Sequence, residues 1–598
     1  MSRKHLWLLT AVFVLASALY FFRALIITEA GFPLDDSWIH QVFARNLATG
    51  HGFSFNPDIP ISGATAPLWT LITALFWPLL GPIAGGIIPC LLLELLAILA
   101  IYKLAEYLLD SEPLALLVTV LSTLTWVLIW GALSGMEIGL YSALSLWGLY
   151  FYFKSQSMDD RRGYIAYGFF ALAILARPEC ALFLAAAMLR DFFIWLNHGK
   201  RRLAPWIWRG AIVLLLLAPY FYFNYSVTGT FFPQTYNAKV RGKGLISAVG
   251  NGELKRIIKT LTLFPYYYLQ DFLRQLLKLN PIILVAFFSG CLKFFMVRDG
   301  RRSQRIMLAL LLILYVPLMG TFSPVLTATY HAMRLIDNII PLIILVEISG
   351  LFWKAEYPVG KSSIYLSIGL LLLSLAGGIL LLADDFIVRS LGPSLLQNID
   401  RMNNGDYEIL TLYVRDTGIN SIFLALVLFA GIVIASNWIQ NQLKYKIVKR
   451  IIITGIVAYS AILLIFKSGY YADNVRDINE IDKAVGIYLK EINSGADRLA
   501  VNDIGAIGYY SGMKILDLKG LVSPEIRSEM IVDDSLAFEY MLLQERVDYV
   551  AIFPNWFRYI PKRTDILKPI KYFISENSSI LAGDTTIIYR ADWPDSIL

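Results

Sequence analysis

Residues 6–38 read LWLLTAVFVLASALYFFRALIITEAGFPLDDSW, and this stretch decides the class of the chain. Residues 6–28 form an apolar run long enough to cross a hydrocarbon core of about 30 Å as a helix. Arg3 and Lys4 precede it, which places the amino terminus in the cytoplasm. The run therefore delivers Pro33-Leu34-Asp35-Asp36-Ser37-Trp38, with its two adjacent carboxylates, to the outer face at headgroup level. Ala16-Ser17-Ala18 imitates a signal-peptide cleavage site, but the apolar run continues through Phe21-Phe22 and Ile26-Ile27 to span length.

Apolar runs of this kind recur along most of the chain. Of 598 residues, 57% are hydrophobic and 16% charged, where a soluble domain carries about 25% charged residues. The net charge of +7 comes from short basic connections and makes no basic stripe in a soluble segment, which excludes a nucleic-acid partner. Cys90, Cys180 and Cys291 sit in apolar runs, and CxxC or His-x-x-x-His spacings for zinc are absent. Residues 66–81 are too short for a comfortable span and end at Gly81-Pro82, so they read as a re-entrant or interfacial helix after a first outer loop, 29–65. Basic clusters at 154–162, 198–209, 297–305, 354–361 and 444–450 mark inside connections. The alternation gives about 13 spans over 1–469 and leaves 470–598 outside. That last region alternates helices with short apolar strands (Arg498–Asn502, Lys514–Leu518, Val547–Phe553), a small α/β domain with a largely parallel sheet.

Ionisable residues gather on the outer side. Asp35 and Asp36 can cap the helix that begins near Ser37, act as general base toward a hydroxyl, or hold a divalent cation. Glu137, in Ser134-Gly-Met-Glu137, stands at an outer helix end as a dipole partner or site residue. Arg177-Pro178-Glu179 interrupts an apolar stretch, either as a structural pair or as functional intramembrane charges. Lys239, Arg241 and Lys243 in one outer loop, and His331 and Arg334 in another, break the positive-inside rule. Cations there suit headgroup contact or a lipid phosphate arriving from the membrane.

Assembled in order, these motifs resemble the GT-C superfamily of polyprenyl-phosphate-sugar-dependent membrane glycosyltransferases, most closely the branch of the mycobacterial terminal β-(1→2)-arabinofuranosyltransferases. The resemblance rests on Asp35-Asp36, Arg45-Asn46-Leu47 with Gly50-His51-Gly52, Phe55-Asn56-Pro57, and Gly63, Thr65, Leu68 and Trp69. It extends through Ser134–Glu137, Arg177–Glu179, Phe232–Lys239, Arg334, Asp503-x-Gly505-x-x-Gly-Tyr-Tyr510 and Asp517–Leu521. Ser37-Trp38 and Leu335-Ile336-Asp337 depart from the usual pattern.

The resemblance implies a sugar leaving a polyprenyl phosphate at the outer face of a plasma (inner) membrane for a glycan, glycolipid or protein hydroxyl, with inversion. Asp35 would be the exposed base, Asp36 its assistant or, with Asp35, a ligand for Mg²⁺ or Mn²⁺. Arg177, Lys239, Arg241 and Arg334 would face phosphate, with Glu137, Glu179 and His331 beside them. The alternative is a polyprenyl-lipid transporter or flippase. Matched broken helices are absent from the pattern, and the charges gather at one face rather than mid-membrane.

Overall fold

Trp7, Leu15, Phe22 and Ile26 on one side of the first helix are all more than 60% exposed, while Leu9, Phe13, Tyr20 and Ala24 on the other side are buried. Such an apolar face turned outward is a lipid-facing face. The computed structural model describes residues 1–197, 203–240, 245–279, 283–322, 330–353, 445–575, 578–581 and 583–594. The connections expected around Lys200 and Lys361, and the spans expected between 354 and 444, lie outside the described residues. Among the described residues five helices are long and apolar enough to cross a membrane, or six if a helix pair bent by 64° forms one span. The molecule is an integral membrane protein.

It divides into two compact units. The first comprises Met1–Phe272, Met307–Leu345 and Tyr459–Leu598. It opens with α1 (Arg3–Ile27), α2 (Asp35–Ala48), α3 (Pro67–Leu109), α4 (Glu112–Thr123) and α5 (Trp126–Ala132). Next come α6 (Ile138–Lys154), α7 (Arg161–Ala176), α8 (Ala181–Asn197), α9 (Ala204–Thr228) and α10 (Gln234–Val240). Helix α3 breaks at Gly81, whose φ of 71° is left-handed. A Cβ on Gly85 would lie 3.5 Å from the Trp77 backbone, although eight residues of straight helix would separate the two by about 12 Å. The two arms of α3 thus fold back on each other. Trp38, Trp69 and Trp130 are wholly buried, each removing about 150–250 Å² from solvent or lipid. Ring N–H groups so buried call for acceptors, which two of the three have. Trp69 donates to the Gly135 carbonyl at 3.0 Å, and Trp130 to Asn474 Oδ1 at 2.9 Å.

The second unit comprises Leu273–Ile306 and Val346–Ala458. On its helix α11 (Ile283–Met296), Gly290 lies so close to the Val346 carbonyl that a Cβ would come within 1.9 Å. Small residues permit this backbone approach where lipid supplies no hydrophobic drive. Lys293 Nζ donates to the carbonyls of Ser349, Gly350 and Trp353 at 3.1, 2.7 and 3.1 Å.

The chain continues through α12 (Arg302–Phe322), α13 (Ile340–Phe352), α14 (Tyr445–Ile478) and α15 (Ala484–Ile492) into a five-stranded sheet. Its strands are β1 (Arg498–Val501), β2 (Lys514–Asp517), β3 (Tyr549–Ile552), β4 (Leu567–Ile574) and β5 (Thr585–Ala591), in the order β2-β1-β3-β5-β4. The first three are parallel, β5 pairs antiparallel with β3, and β4 pairs antiparallel with β5. The expected sheet was largely parallel; half of its pairings are antiparallel. Strand β4 hides from pattern reading because it is a mostly exposed edge carrying Lys568, Pro569 and Lys571, with a bulge at Pro569. Helix α16 (Gly505–Ser511) connects β1 to β2.

Candidate functional site

Pro33 and an extended Leu34 (φ −144°, ψ 143°) end the approach to α2, which therefore starts with both carboxylates in its first turn. There they oppose the positive end of the helix. Successive helical residues point about 100° apart, and the two aspartates take different surroundings. Asp35 was expected at the surface; it is buried, and its two oxygens accept the backbone N–H groups of Gly505 and Ala506 at 2.6 Å each. The Asp503 carboxyl is hydrogen-bonded to it as well, and buried Asp482 stands near both. Burial pushes the Asp35 carboxyl up, against the pull of these hydrogen bonds. Burial and the neighbouring carboxylates Asp35 and Asp482 push the Asp503 carboxyl well above the usual range. Asp36 keeps 38% of its side chain exposed and accepts Arg334 Nη2 at 2.6 Å. Burial would raise it, but Arg334 and Lys239 outweigh that and hold it well below the usual carboxylate range.

Arg177 terminates α7. The proline after it disfavours helical dihedrals, and Arg177 is extended at φ −152°, ψ 129°. Its guanidinium grips Glu179 with two bonds, Nε to Oε2 at 3.3 Å and Nη2 to Oε1 at 3.1 Å, while Nη1 pairs with Glu137. Glu137 is fully buried and also faces His40 Nε2 at 3.4 Å, with His40 Nδ1 3.2 Å from Thr70 Oγ1. One arginine thus answers two carboxylates.

The segment before Arg334 is strained. His331, Ala332 and Met333 have φ of 45°, 56° and 63°, left-handed values that side chains other than glycine resist. Burial and the adjacent Arg334 push the His331 imidazole well below its ordinary pKa. Arg334 is 5% exposed, and its backbone carbonyl accepts the Tyr141 hydroxyl at 2.6 Å. The same hydroxyl accepts the Asp337 N–H at 3.2 Å, and the Tyr141 ring lies 5.7 Å from the Arg177 guanidinium.

Lys239 lies on α10, with Asp36, Arg334, Arg177 and Glu179 acting on its ammonium. It forms no ion pair among the described residues. Together with Glu137, Arg177, Glu179, Thr65 and Tyr236 it lines a cavity of about 380 Å³, whose remaining walls are mainly apolar: Leu182, Ala185, Leu318, Met319, Phe322 and Leu335. Arg241 and Lys243 lie outside the described residues. The structure thus brings together Asp36, Glu137, Arg177, Glu179, Lys239, His331 and Arg334, and turns Asp35 away toward Gly505.

A divalent cation does not fit the acidic pair as arranged. Both oxygens of Asp35 already accept N–H donors and Asp36 faces Arg334, while among the described residues no group of three His, Cys, Asp or Glu side chains could hold a metal ion. Sequence reading passed over His40 and Tyr141. Helical spacing carried a signal for both: His40 follows Asp36 by one turn, and Tyr141 follows Glu137 by one turn.

Residues 64–223 match the family model described as dolichyl-phosphate-mannose-protein mannosyltransferase, and residues 469–593 match a domain of unknown function. Among solved structures, ArnT from Cupriavidus metallidurans bound to undecaprenyl phosphate aligns over 98% of both chains with TM-score 0.52 and 12% identity. Its apo form aligns over 98% of both chains with TM-score 0.52 and 13% identity. The archaeal oligosaccharyltransferase AglB from Archaeoglobus fulgidus, in complex with an inhibitory peptide and a dolichol-phosphate, has TM-score 0.49 at 12% identity, over 92% of this chain and 70% of that one. No curated protein sequence matches significantly. The likeness to ArnT over 98% of both chains shows the fold: this chain is folded as that protein is.

Proposed function

We propose that this protein transfers a sugar from a polyprenyl-phosphate donor to an acceptor hydroxyl at the extracytoplasmic face of the membrane, with inversion. The observation that carries the reading is the cavity joining an apolar wall to Lys239, which forms no ion pair among the described residues and has Asp36 and Arg334 close by, while Arg177 on the same wall is already held by Glu137 and Glu179. An isoprenoid phosphate has the same two halves, a hydrocarbon chain and an anion. In this reading the amino terminus is cytoplasmic, and loop 29–65 and the region from 470 onward face outside. The membrane is the plasma (inner) membrane. The mannosyltransferase-family match and the neighbour bound to undecaprenyl phosphate support the donor class. The order of motifs from Asp35-Asp36 to Asp517–Leu521 supports transfer of a hexosyl or pentosyl group in the manner of the arabinofuranosyltransferase branch, with a cell-envelope glycan, glycolipid or protein as acceptor.

Asp36 takes the base role in place of Asp35, because its side chain reaches open space and Asp35 does not. The acceptor O–H loses its proton to Asp36 while its oxygen bonds to the anomeric carbon. The bond from that carbon to the phosphate oxygen breaks, and its electron pair leaves on polyprenyl phosphate. Lys239 and Arg334 stabilise the charge developing on that leaving group. They also couple donor to base. An incoming phosphate neutralises the two cations that depress Asp36, raising its proton affinity toward the range in which general bases work best.

Purified protein in lipid nanodiscs, supplied with a radiolabelled polyprenyl-phosphate sugar, tests the proposal. Release of labelled sugar to water or to an acceptor, with polyprenyl phosphate left behind, is expected. Movement of intact donor across a vesicle membrane without cleavage would establish the flippase instead.

A further inference from the structure

The domain of unknown function meets the first loop at a place where soluble α/β domains bind ligands. Strand β1 is central to the parallel part of the sheet, with β2 and β3 on either side. The crevice beyond the carboxyl end of such a strand, where the connections diverge, is the usual ligand site of an open parallel sheet. Here β1 ends at Val501, and Asp503, Gly505 and Ala506 follow directly. What they hold is the carboxylate of Asp35, from the chain's own first loop. Gly505 is required by this approach: a Cβ there would lie 2.1 Å from the Asp35 carbonyl oxygen and 2.6 Å from its carboxyl carbon.

Further contacts join the same two regions. Asn56 exchanges two bonds with the Ile515 backbone at 2.9 Å each, in the manner of a strand partner. Arg45 donates to the Tyr509 carbonyl at 2.8 Å and lies 4.8 Å from the ring of Tyr509. Trp38, two residues past Asp36, meets Tyr509 and Tyr510, each with centroids 5.0 Å away. Gln234, on the helix that carries Lys239, donates to the Gly520 carbonyl at 3.0 Å.

We propose that residues 469–593 act as a clamp on the catalytic loop, with Asp503 and Gly505 as positioning residues that bind Asp35 so that its neighbour Asp36 is presented to Arg334 and the donor cavity. The clamp rests on the transferase reading, in which Asp36 is the base. It gives the domain a part in turnover beyond solubility or acceptor capture, because the carboxylate it binds is one residue from the reacting group. A displacement of about 1 Å at such a group can cost on the order of 100-fold in rate.

The test uses the full-length protein in nanodiscs with Gly505→Ala, Asp503→Ala, Asp503→Asn and Gly508→Ala. The first two are expected to lower kcat by about tenfold to a hundredfold while leaving KM for the donor within about twofold, since the cavity is untouched. Asp503→Asn restores a donor toward Asp35 and recovers most of kcat. Gly508→Ala adds a methyl group within the same short helix that meets the Phe55 ring at 2.9 Å and Ile515 at 3.6 Å; it shifts that ring but not the Asp35 carboxylate, and is expected to lose less kcat than Gly505→Ala. Amide exchange across residues 29–48 reads the clamp without any activity. It is expected to accelerate in Gly505→Ala and Asp503→Ala and to stay slow in Asp503→Asn. Unchanged exchange and kcat in the first two variants would overturn the clamp, and so would equal losses in all four. Loss of protection in the variants of a wild-type protein that cleaves no polyprenyl-phosphate sugar would keep the clamp and sink the transferase reading.

Discussion

Two ionic centres stand on the same side of the first unit, and they are built on opposite principles. Around Arg177, one guanidinium is gripped by Glu137 and Glu179, with Glu137 wholly buried. Around Arg334, one half-exposed carboxylate, Asp36, faces that arginine and Lys239 beyond it. A buried cation already matched by two carboxylates has little left for a ligand, and its removal leaves uncompensated charge in a poor solvent. A carboxylate between two cations, one of them without an ion pair among the described residues, suits a site that receives an anion. In the proposed transfer, the difference separates scaffold from reagent among residues whose sequence signatures look alike.

The largest expected effect falls on the second centre. Asp36→Asn retains shape and most hydrogen bonding but cannot take a proton as a carboxylate, and turnover should fall by about 10²–10⁴-fold. Asp35→Asn should cost less, because the change disturbs position rather than proton transfer. A larger loss for Asp35→Asn than for Asp36→Asn, in proteins of equal folded yield, would reverse the assignment.

The first centre should fail differently. Arg177→Gln strands Glu137 and Glu179, a loss on the order of 3–5 kcal/mol for a broken buried pair, seen as a lower melting temperature and poor folded yield. Glu137→Gln in the same chain should restore part of that stability by removing one stranded charge. Lys239→Ala is expected to leave the melting temperature alone and raise KM for the donor about tenfold to a hundredfold, the worth of one charge-assisted hydrogen bond. If Arg177→Gln folded normally and only donor KM rose, both centres would be phosphate sites.

The pH dependence sharpens the contrast further. In the free protein the depressed Asp36 stays ionised as pH falls through the ordinary carboxylate range, so kcat/KM should show no acid limb from it there. With donor bound, phosphate offsets the cations and the Asp36 pKa rises. The acid limb of kcat should then lie at higher pH than that of kcat/KM. Coincident limbs would mean that the phosphate binds away from Arg334 and Lys239.

Much of this architecture is legible in the sequence because lipid enforces simple rules. Apolar length marks a helix, Gly81-Pro82 marks the break in α3, and charges that break the expected alternation of basic connections mark Lys239 and Arg334. The division of labour between Asp35 and Asp36 is not legible. It depends on a contact 470 residues away, from Gly505, and one residue of helical rotation decides which carboxylate is buried. Strand β4 escaped because an exposed edge with Lys and Pro carries no alternating pattern. Tyr141 escaped because an aromatic residue in an apolar helix looks like lipid-facing or core packing, and only its hydroxyl says otherwise.

That hydroxyl supports the smallest of the expected effects, and the one that tests whether the two centres communicate. Tyr141 touches both: its ring faces Arg177, while its O–H donates to the Arg334 carbonyl and accepts from Asp337. Tyr141→Phe removes only the bonds to the Arg334 side, each worth about 1 kcal/mol. The expected loss is therefore a few-fold to tenfold in kcat/KM, with the melting temperature nearly unchanged. Tyr141→Leu also removes the ring beside Arg177 and should lower stability as well as rate. If the two variants lose the same activity and the same stability, the hydroxyl carries nothing and Arg334 is held by its strained backbone alone. If Phe costs rate and Leu costs rate plus stability, the tyrosine positions the reactive arginine through its oxygen and braces the structural one through its ring.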